Sequence, residues 1–203
     1  MSNETTVVHV IDDDAAMRDS LGFLLDVEGF ATRLYPSAEA FLAVGAAAEP
    51  GCIITDVRMP GMSGIELVRR IRDLGLAHPV VVMTGHGDVP LAVEAMKAGA
   101  RDFIEKPFSD ETLLRALKVA CESHDPDVAS EAARREAETR LAVLSPRERD
   151  VLMGVVSGKA NKVIAHELQI SPRTVEVYRA NLMSKTGARN MSDLMRLALA
   201  AGL

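Results

Sequence analysis

Over its first 120 residues the chain repeats one pattern, a short and nearly continuous apolar run followed by a longer amphipathic stretch. The runs are Val7–Ile11, Ala31–Tyr35, Cys52–Thr55, Val80–Met83 and Phe103-Ile104, with helix-like segments near 15–28, 37–44, 63–74, 89–98 and 109–122. Continuous apolar runs are the mark of strands covered on both faces. Five strand–helix units in succession therefore predict an α/β doubly wound, five-stranded parallel sheet with helices on both sides. There is no Trp and there are only five Phe, so the core must be aliphatic. In such sheets ligands gather at the carboxyl ends of the strands.

Those strand ends carry the chemistry. Asp12-Asp13-Asp14 follow the first run, Asp56 ends the third, Thr84 ends the fourth, and Lys106-Pro107 follow the fifth. Adjacent carboxylates repel one another, and a hard divalent cation such as Mg²⁺ relieves that repulsion through oxygen ligands. Asp56 is suited to act as a nucleophile that takes a phosphoryl group as an acyl phosphate. Asp12 and Asp13 would hold the metal, which offsets charge developing on the phosphoryl oxygens. Lys106 adds a fixed cation, and Thr84 offers a hydroxyl that can sense the phosphoryl group. Asp14 reads instead as a helix-start residue facing the helix dipole. His86 reads as a polar loop residue and His9 as a satisfied strand residue. Ser109 can cap the last helix of this region, with Phe108 and Leu113 spaced as a hydrophobic staple.

Residues 6–122 resemble the receiver domain of bacterial two-component response regulators, which has a flavodoxin-like fold. The resemblance rests on Asp12/Asp13, Asp56, Thr84, Phe103 and Lys106-Pro107 in that order. It implies phosphorylation of Asp56 by a sensor histidine kinase, with Thr84 and Lys106 assisting and with Thr84 and Phe103 acting as the switch pair. It implies Mg²⁺ held by Asp12, Asp13, Asp56 and the backbone carbonyl of Arg58. The Lys-Pro peptide is commonly cis in that family, and Phe103 stands where Tyr is commoner. A haloacid-dehalogenase-type phosphatase, the enzymatic alternative, needs a second Asp two residues past its nucleophile; Arg58 stands there.

Beyond residue 122 the composition changes. Residues 1–122 carry 11 basic against 19 acidic side chains, net −8, whereas 142–203 carry 9 against 5, net +4. An acidic front and a basic tail suggest modules with different partners, the basic one a nucleic-acid candidate. Ser123-His124-Asp125-Pro126-Asp127 is a breaker cluster, and Ala129–Arg140 is polar and free of Pro and Gly. These mark three segments: 1–122 receiver, 123–141 helical linker and 142–203 a small all-α domain. In the last, Ser145-Pro146-Arg147-Glu148 is a capping box with Pro at the first helical position. Asn161–Leu168, a turn and Pro172–Thr186 make a helix–turn–helix pattern, and a further helix covers about Met191–Ala200. Val175, Tyr178 and Leu182 give the second helix of the pattern a buried stripe.

The expected DNA contacts are Lys162, Arg173, Thr174, Glu176, Val177, Arg179, Ala180, Asn181 and Lys185. Glu176 stands out, because a carboxylate near phosphates is unfavourable unless it reads a base such as cytosine. Ser145 to about Leu199 resembles the LuxR/NarL-type DNA-binding domain. The string from Ile170 to Asn181 is similar to FixJ-type regulators, as are Gly85–Pro90 and Phe103–Phe108. Many LuxR/NarL members carry Lys where this chain has Glu176.

The resemblance implies a transcriptional regulator rather than an enzyme. It would dimerise through its receiver on phosphorylation and act on double-stranded promoter DNA and RNA polymerase. A sigma-like polymerase factor is the alternative from another class. Cys52 and Cys121 lack metal-site spacing and read as buried thiols. No apolar stretch approaches a membrane span, and the start lacks a signal peptide; the expectation is a cytoplasmic protein.

Overall fold

The first strand, β1 (Val7–Ile11), sits inside the sheet, and that placement organises everything else. In the computed structural model of the chain, residues 6–85, 89–121 and 130–203 are described. His86 and the breaker cluster at 123–127 lie outside the described residues. Around β1 run β2 (Ala31–Tyr35), β3 (Gly51–Asp56), β4 (Val80–Thr84) and β5 (Asp102–Glu105). The strands are parallel throughout, in the order β2-β1-β3-β4-β5. The order reverses at β1, which opens a crevice at the carboxyl ends of β1 and β3.

The connecting helices are α1 (Ala15–Val27), α2 (Ala38–Val44), α3 (Gly64–Asp73), α4 (Val89–Ala98) and α5 (Asp110–Cys121). Alternation along β1 sends Val8 and Val10 to one face, where they share a core with Ile54, Val81, Met83, Leu21, Leu25, Leu113 and Leu117. His9 and Ile11 face the other way, both fully buried. His9 packs on Phe41, with ring centroids 5.3 Å apart. Its Nε2 donates to the Glu49 carbonyl at 2.9 Å, and the Tyr35 hydroxyl donates to Nδ1 at 3.3 Å. It is the satisfied strand residue expected.

Local chemistry sets the helix starts. Ser63 and Glu66 form a reciprocal capping box at α3, and the Ser109 hydroxyl accepts the Thr112 amide at α5. One expectation is corrected. The cysteines, 69 residues apart in sequence, were expected as separate thiols, yet Cys52 on β3 and Cys121 at the end of α5 are joined as a disulfide, Cα atoms 6.1 Å apart. Pairing is not readable from one sequence; here β3 and α5 share a core.

The remaining described elements are helices: α6 (Ser130–Ala142), α7 (Pro146–Val156), α8 (Asn161–Leu168), α9 (Pro172–Thr186) and α10 (Met191–Ala200). The sheet with α1, α2, α3 and α5 forms one compact unit; α4 belongs with α6 to α10 in the other. Serines begin α7 and α9, each followed by Pro as the motifs predict. Val151, Leu152, Val155, Ile164, Val175, Leu182, Leu194 and Met195 are buried, an aliphatic core for this unit. Among the described residues no helix is long and apolar enough to cross a membrane.

Candidate functional site

Asp12 leaves the end of β1 only 1% exposed. Its Oδ1 accepts the Asp14 amide at 2.9 Å, and its Oδ2 lies 3.3 Å from Lys106 Nζ. The same Nζ is 3.4 Å from Asp56 Oδ1, so one ammonium spans two carboxylates from different strands. Asp13 is exposed beside them. Each of Asp12, Asp13 and Asp56 offers a carboxylate oxygen, all within 4.8 Å of one another. Asp14 stands apart: its Oδ1 accepts the Ala16 and Met17 amides at 2.9 and 3.4 Å, making it the N-cap of α1.

This geometry works on Asp56. Burial pushes its carboxyl above the usual carboxylate range, Lys106 pulls it back, and the negative charge of Asp12 pushes it up again. A divalent cation among the three carboxylates would act in the same sense as Lys106. The donor set contains only carboxylate oxygens, which suits a hard cation rather than zinc or copper. The residues therefore fit a metal site of the magnesium class.

The remaining strand-end residues gather at the same edge of the sheet. Asp56 pairs in register with Met83, so Thr84 lies one residue beyond it on the neighbouring strand. Thr84 is 2% exposed, and its carbonyl accepts the Lys106 amide at 2.7 Å. That bond ties the end of β4 to the residue bearing the ammonium. The Lys106-Pro107 peptide is cis. Phe103 is half-buried on β5, and Arg58 is exposed two residues past Asp56. The amide of Val57, beside Asp56, donates to the Met83 carbonyl at 2.9 Å, fixing the backbone at this point.

In the helical unit, α9 sorts its residues by face. Val175 and Leu182 are fully buried, while Arg173, Glu176, Val177, Ala180 and Asn181 are all exposed. Lys162 is exposed on α8, and the Thr174 hydroxyl is 2.8 Å from Ser171 Oγ. Two of the expected cations are engaged within the protein. Arg179 NH1 donates to Asn161 Oδ1 at 2.7 Å, linking α9 to α8. Lys185 Nζ donates to Glu148 Oε2 at 2.8 Å.

Residues 8–118 match the response regulator receiver domain, and residues 142–198 match the luxR family of bacterial regulatory proteins. The chain is 53% identical to the transcriptional regulatory protein FixJ of Bradyrhizobium diazoefficiens, covering 97% of this chain and 96% of that one. It is 54% identical to FixJ of Azorhizobium caulinodans, covering 98% and 95%. The chain belongs to the FixJ-type response regulators. The crystal structure of full-length FixJ from B. japonicum aligns with a TM-score of 0.58 at 53% identity, covering 97% of each chain. This FixJ-type chain is thus a two-component transcriptional regulator with an acidic receiver pocket and a LuxR-type DNA-binding domain, not a turnover enzyme. The phosphatase and sigma-like alternatives give way to it.

One residue of this FixJ-type regulator escaped the sequence. Glu148 is visible there only as the end of a capping box. In the structure it is 3% exposed, accepts from the Ser145 amide and hydroxyl at 2.8 Å each, and also binds Lys185. Its carboxyl is lowered to about 2, chiefly by the Lys185 hydrogen bond and then by Ser145. The capping box was the available signal; the partner lies 37 residues away in sequence.

Proposed function

We propose that Asp56 accepts a phosphoryl group from the phosphohistidine of a sensor histidine kinase, and that this acyl phosphate governs binding to promoter DNA. The observation that carries the reading is Lys106 Nζ lying 3.3 and 3.4 Å from Asp12 and Asp56, beside a third carboxylate. An Asp56 oxygen attacks phosphorus, the new O–P bond forms as the N–P bond breaks, and the kinase imidazole keeps the electron pair and takes a proton. Asp12, Asp13, Asp56 and the Arg58 carbonyl would hold Mg²⁺, which supplies charge neutralisation at the phosphoryl oxygens.

Lys106 holds the pocket in its resting state and is placed to turn from the Asp56 carboxylate to a phosphoryl oxygen. Thr84 contributes a hydroxyl donor from the adjoining strand end. The Thr84 carbonyl–Lys106 amide bond couples their backbones, so a shift at either reaches β5 and Phe103. We infer that this rearrangement drives homodimerisation through the receiver and presents α9 to two-fold promoter DNA in the cytoplasm, where RNA polymerase is recruited. DNA contact falls to Lys162, Arg173, Thr174, Glu176, Val177, Ala180 and Asn181, with Arg179 and Lys185 holding α9 in place.

The test is phosphotransfer from a labelled histidine kinase. Wild-type chain gains a hydroxylamine-labile phosphoryl group and Asp56→Asn does not. Labelling of Asp56→Asn at wild-type yield refutes the assignment. Equal affinity for promoter DNA with and without beryllofluoride and Mg²⁺ refutes the switch.

A further inference from the structure

The exposed face of α9 is poorly supplied with cations. Arg173, Glu176, Val177, Ala180 and Asn181 follow one another at helical spacing, and all five are exposed. At 100° per residue they occupy an arc of about 140°, opposite the buried Val175 and Leu182. Arg173 supplies the arc's one positive charge, and Glu176 opposes it. Arg179 is turned to Asn161, and Lys185 to Glu148. A face so composed gains little from phosphates alone, which reward Lys and Arg.

Its chemistry suits base edges instead. In the major groove only two pyrimidine features match an exposed carboxylate beside an exposed branched alkyl group: the cytosine N4 amino donor and the thymine C5 methyl. Val177 is 55% exposed, an aliphatic side chain left in water next to Glu176. Ala180, one turn on from both, is small enough to let the helix approach the groove floor. Arg173 to Asn181 spans about 12 Å, the length of three to four base-pair steps.

We propose that α9 reads sequence through Glu176, which accepts from a cytosine N4 amino group, and Val177, which packs on a thymine methyl within the same three to four base pairs. The proposal rests on the DNA-binding reading and names the specificity of that interface. Arg173 and Lys162 serve phosphates and set register. Glu176 also acts by exclusion, since its carboxylate repels the acceptor pair of a guanine in the cytosine's place.

The experiment selects bound sequences from a randomised double-stranded pool with the full chain, activated by beryllofluoride and Mg²⁺. Wild-type protein should enrich one invariant cytosine, with thymine close by, in each half-site. Replacing the C·G pair should weaken binding about 5- to 150-fold. Glu176→Ala should lose that preference, and Glu176→Gln should move it toward adenine, which a carboxamide binds through two hydrogen bonds. Replacing the selected thymine by deoxyuridine, which removes only the methyl, should weaken wild type about fourfold and leave Val177→Ala unaffected. Both positions are exposed, and unchanged thermal melting of the three variants verifies their fold. An unaltered cytosine preference in Glu176→Ala, or no deoxyuridine effect on wild type, overturns the proposal while leaving DNA binding intact. Failure of the wild type to bind any DNA overturns the DNA-binding reading itself.

Discussion

Gly64 gives the sharpest link between packing and chemistry. It opens α3 with its amide donating to the Val57 carbonyl at 3.0 Å, and its α-carbon lies against the backbone of Asp56, the proposed phosphoacceptor. A Cβ built there would stand 2.2 Å from the Asp56 carbonyl oxygen, 3.0 Å from its carbon and 3.2 Å from Thr55 Cγ2. Relieving this needs about 1 Å of movement, and the nearest obstacle is main chain held in the β3–β4 register. Gly64→Ala should therefore cost about 1–3 kcal/mol. A displacement of about 1 Å at the reacting carboxylate should also slow phosphotransfer, on the order of 100-fold. Gly51→Ala is the control: its Cβ would stand 2.3 Å from the Val7 carbonyl oxygen, an equal clash at the opposite end of β3. Melting by calorimetry should fall similarly in both variants. Phosphotransfer from the kinase, measured well below both melting temperatures, should fall only in Gly64→Ala. Equal phosphotransfer rates in the two variants, or wild-type melting of Gly64→Ala, would refute the reasoning.

Lys106→Met should abolish the link between Asp12 and Asp56 and raise the Asp56 carboxyl further, since Lys106 opposes the effect of burial; phosphotransfer should slow most at low pH, and an unchanged pH–rate profile would count against it. His9 is lowered from 6.5 by burial, with His78 and Arg33 adding to the effect. The unfolded chain therefore binds more protons as pH drops through 6.5, so receiver stability should hold above that pH and decline below it. His9→Phe should flatten the melting curve between pH 7 and 5; an identical slope would sink the assignment. Glu148 is lowered to about 2 from 4.5, so its contribution should be whole above pH 4.5 and lost as pH falls toward 2. Lys185→Met should lower the melting temperature of the helical unit at pH 7 and weaken promoter binding through misplacement of α9. Loss of binding with unchanged melting would mark Lys185 as a direct DNA contact instead.

The pattern of apolar runs determined the parallel sheet, because strands buried on both faces admit few polar residues. Strand-end placement determined the site, because a doubly wound sheet brings those ends together wherever the helices go. Asp12, Asp13, Asp56, Thr84 and Lys106 were therefore legible in order, and Asp14 was separable from them by its place at a helix start. The capping boxes and Ser-Pro starts were legible too, being local. Tertiary structure alone decided three matters. It paired Cys52 with Cys121, set Lys106 between two particular carboxylates, and gave Arg179 and Lys185 the intramolecular partners Asn161 and Glu148. Each depends on contacts between residues far apart in the chain. Sequence periodicity records which face of an element is apolar, but not which distant charge will lie against it.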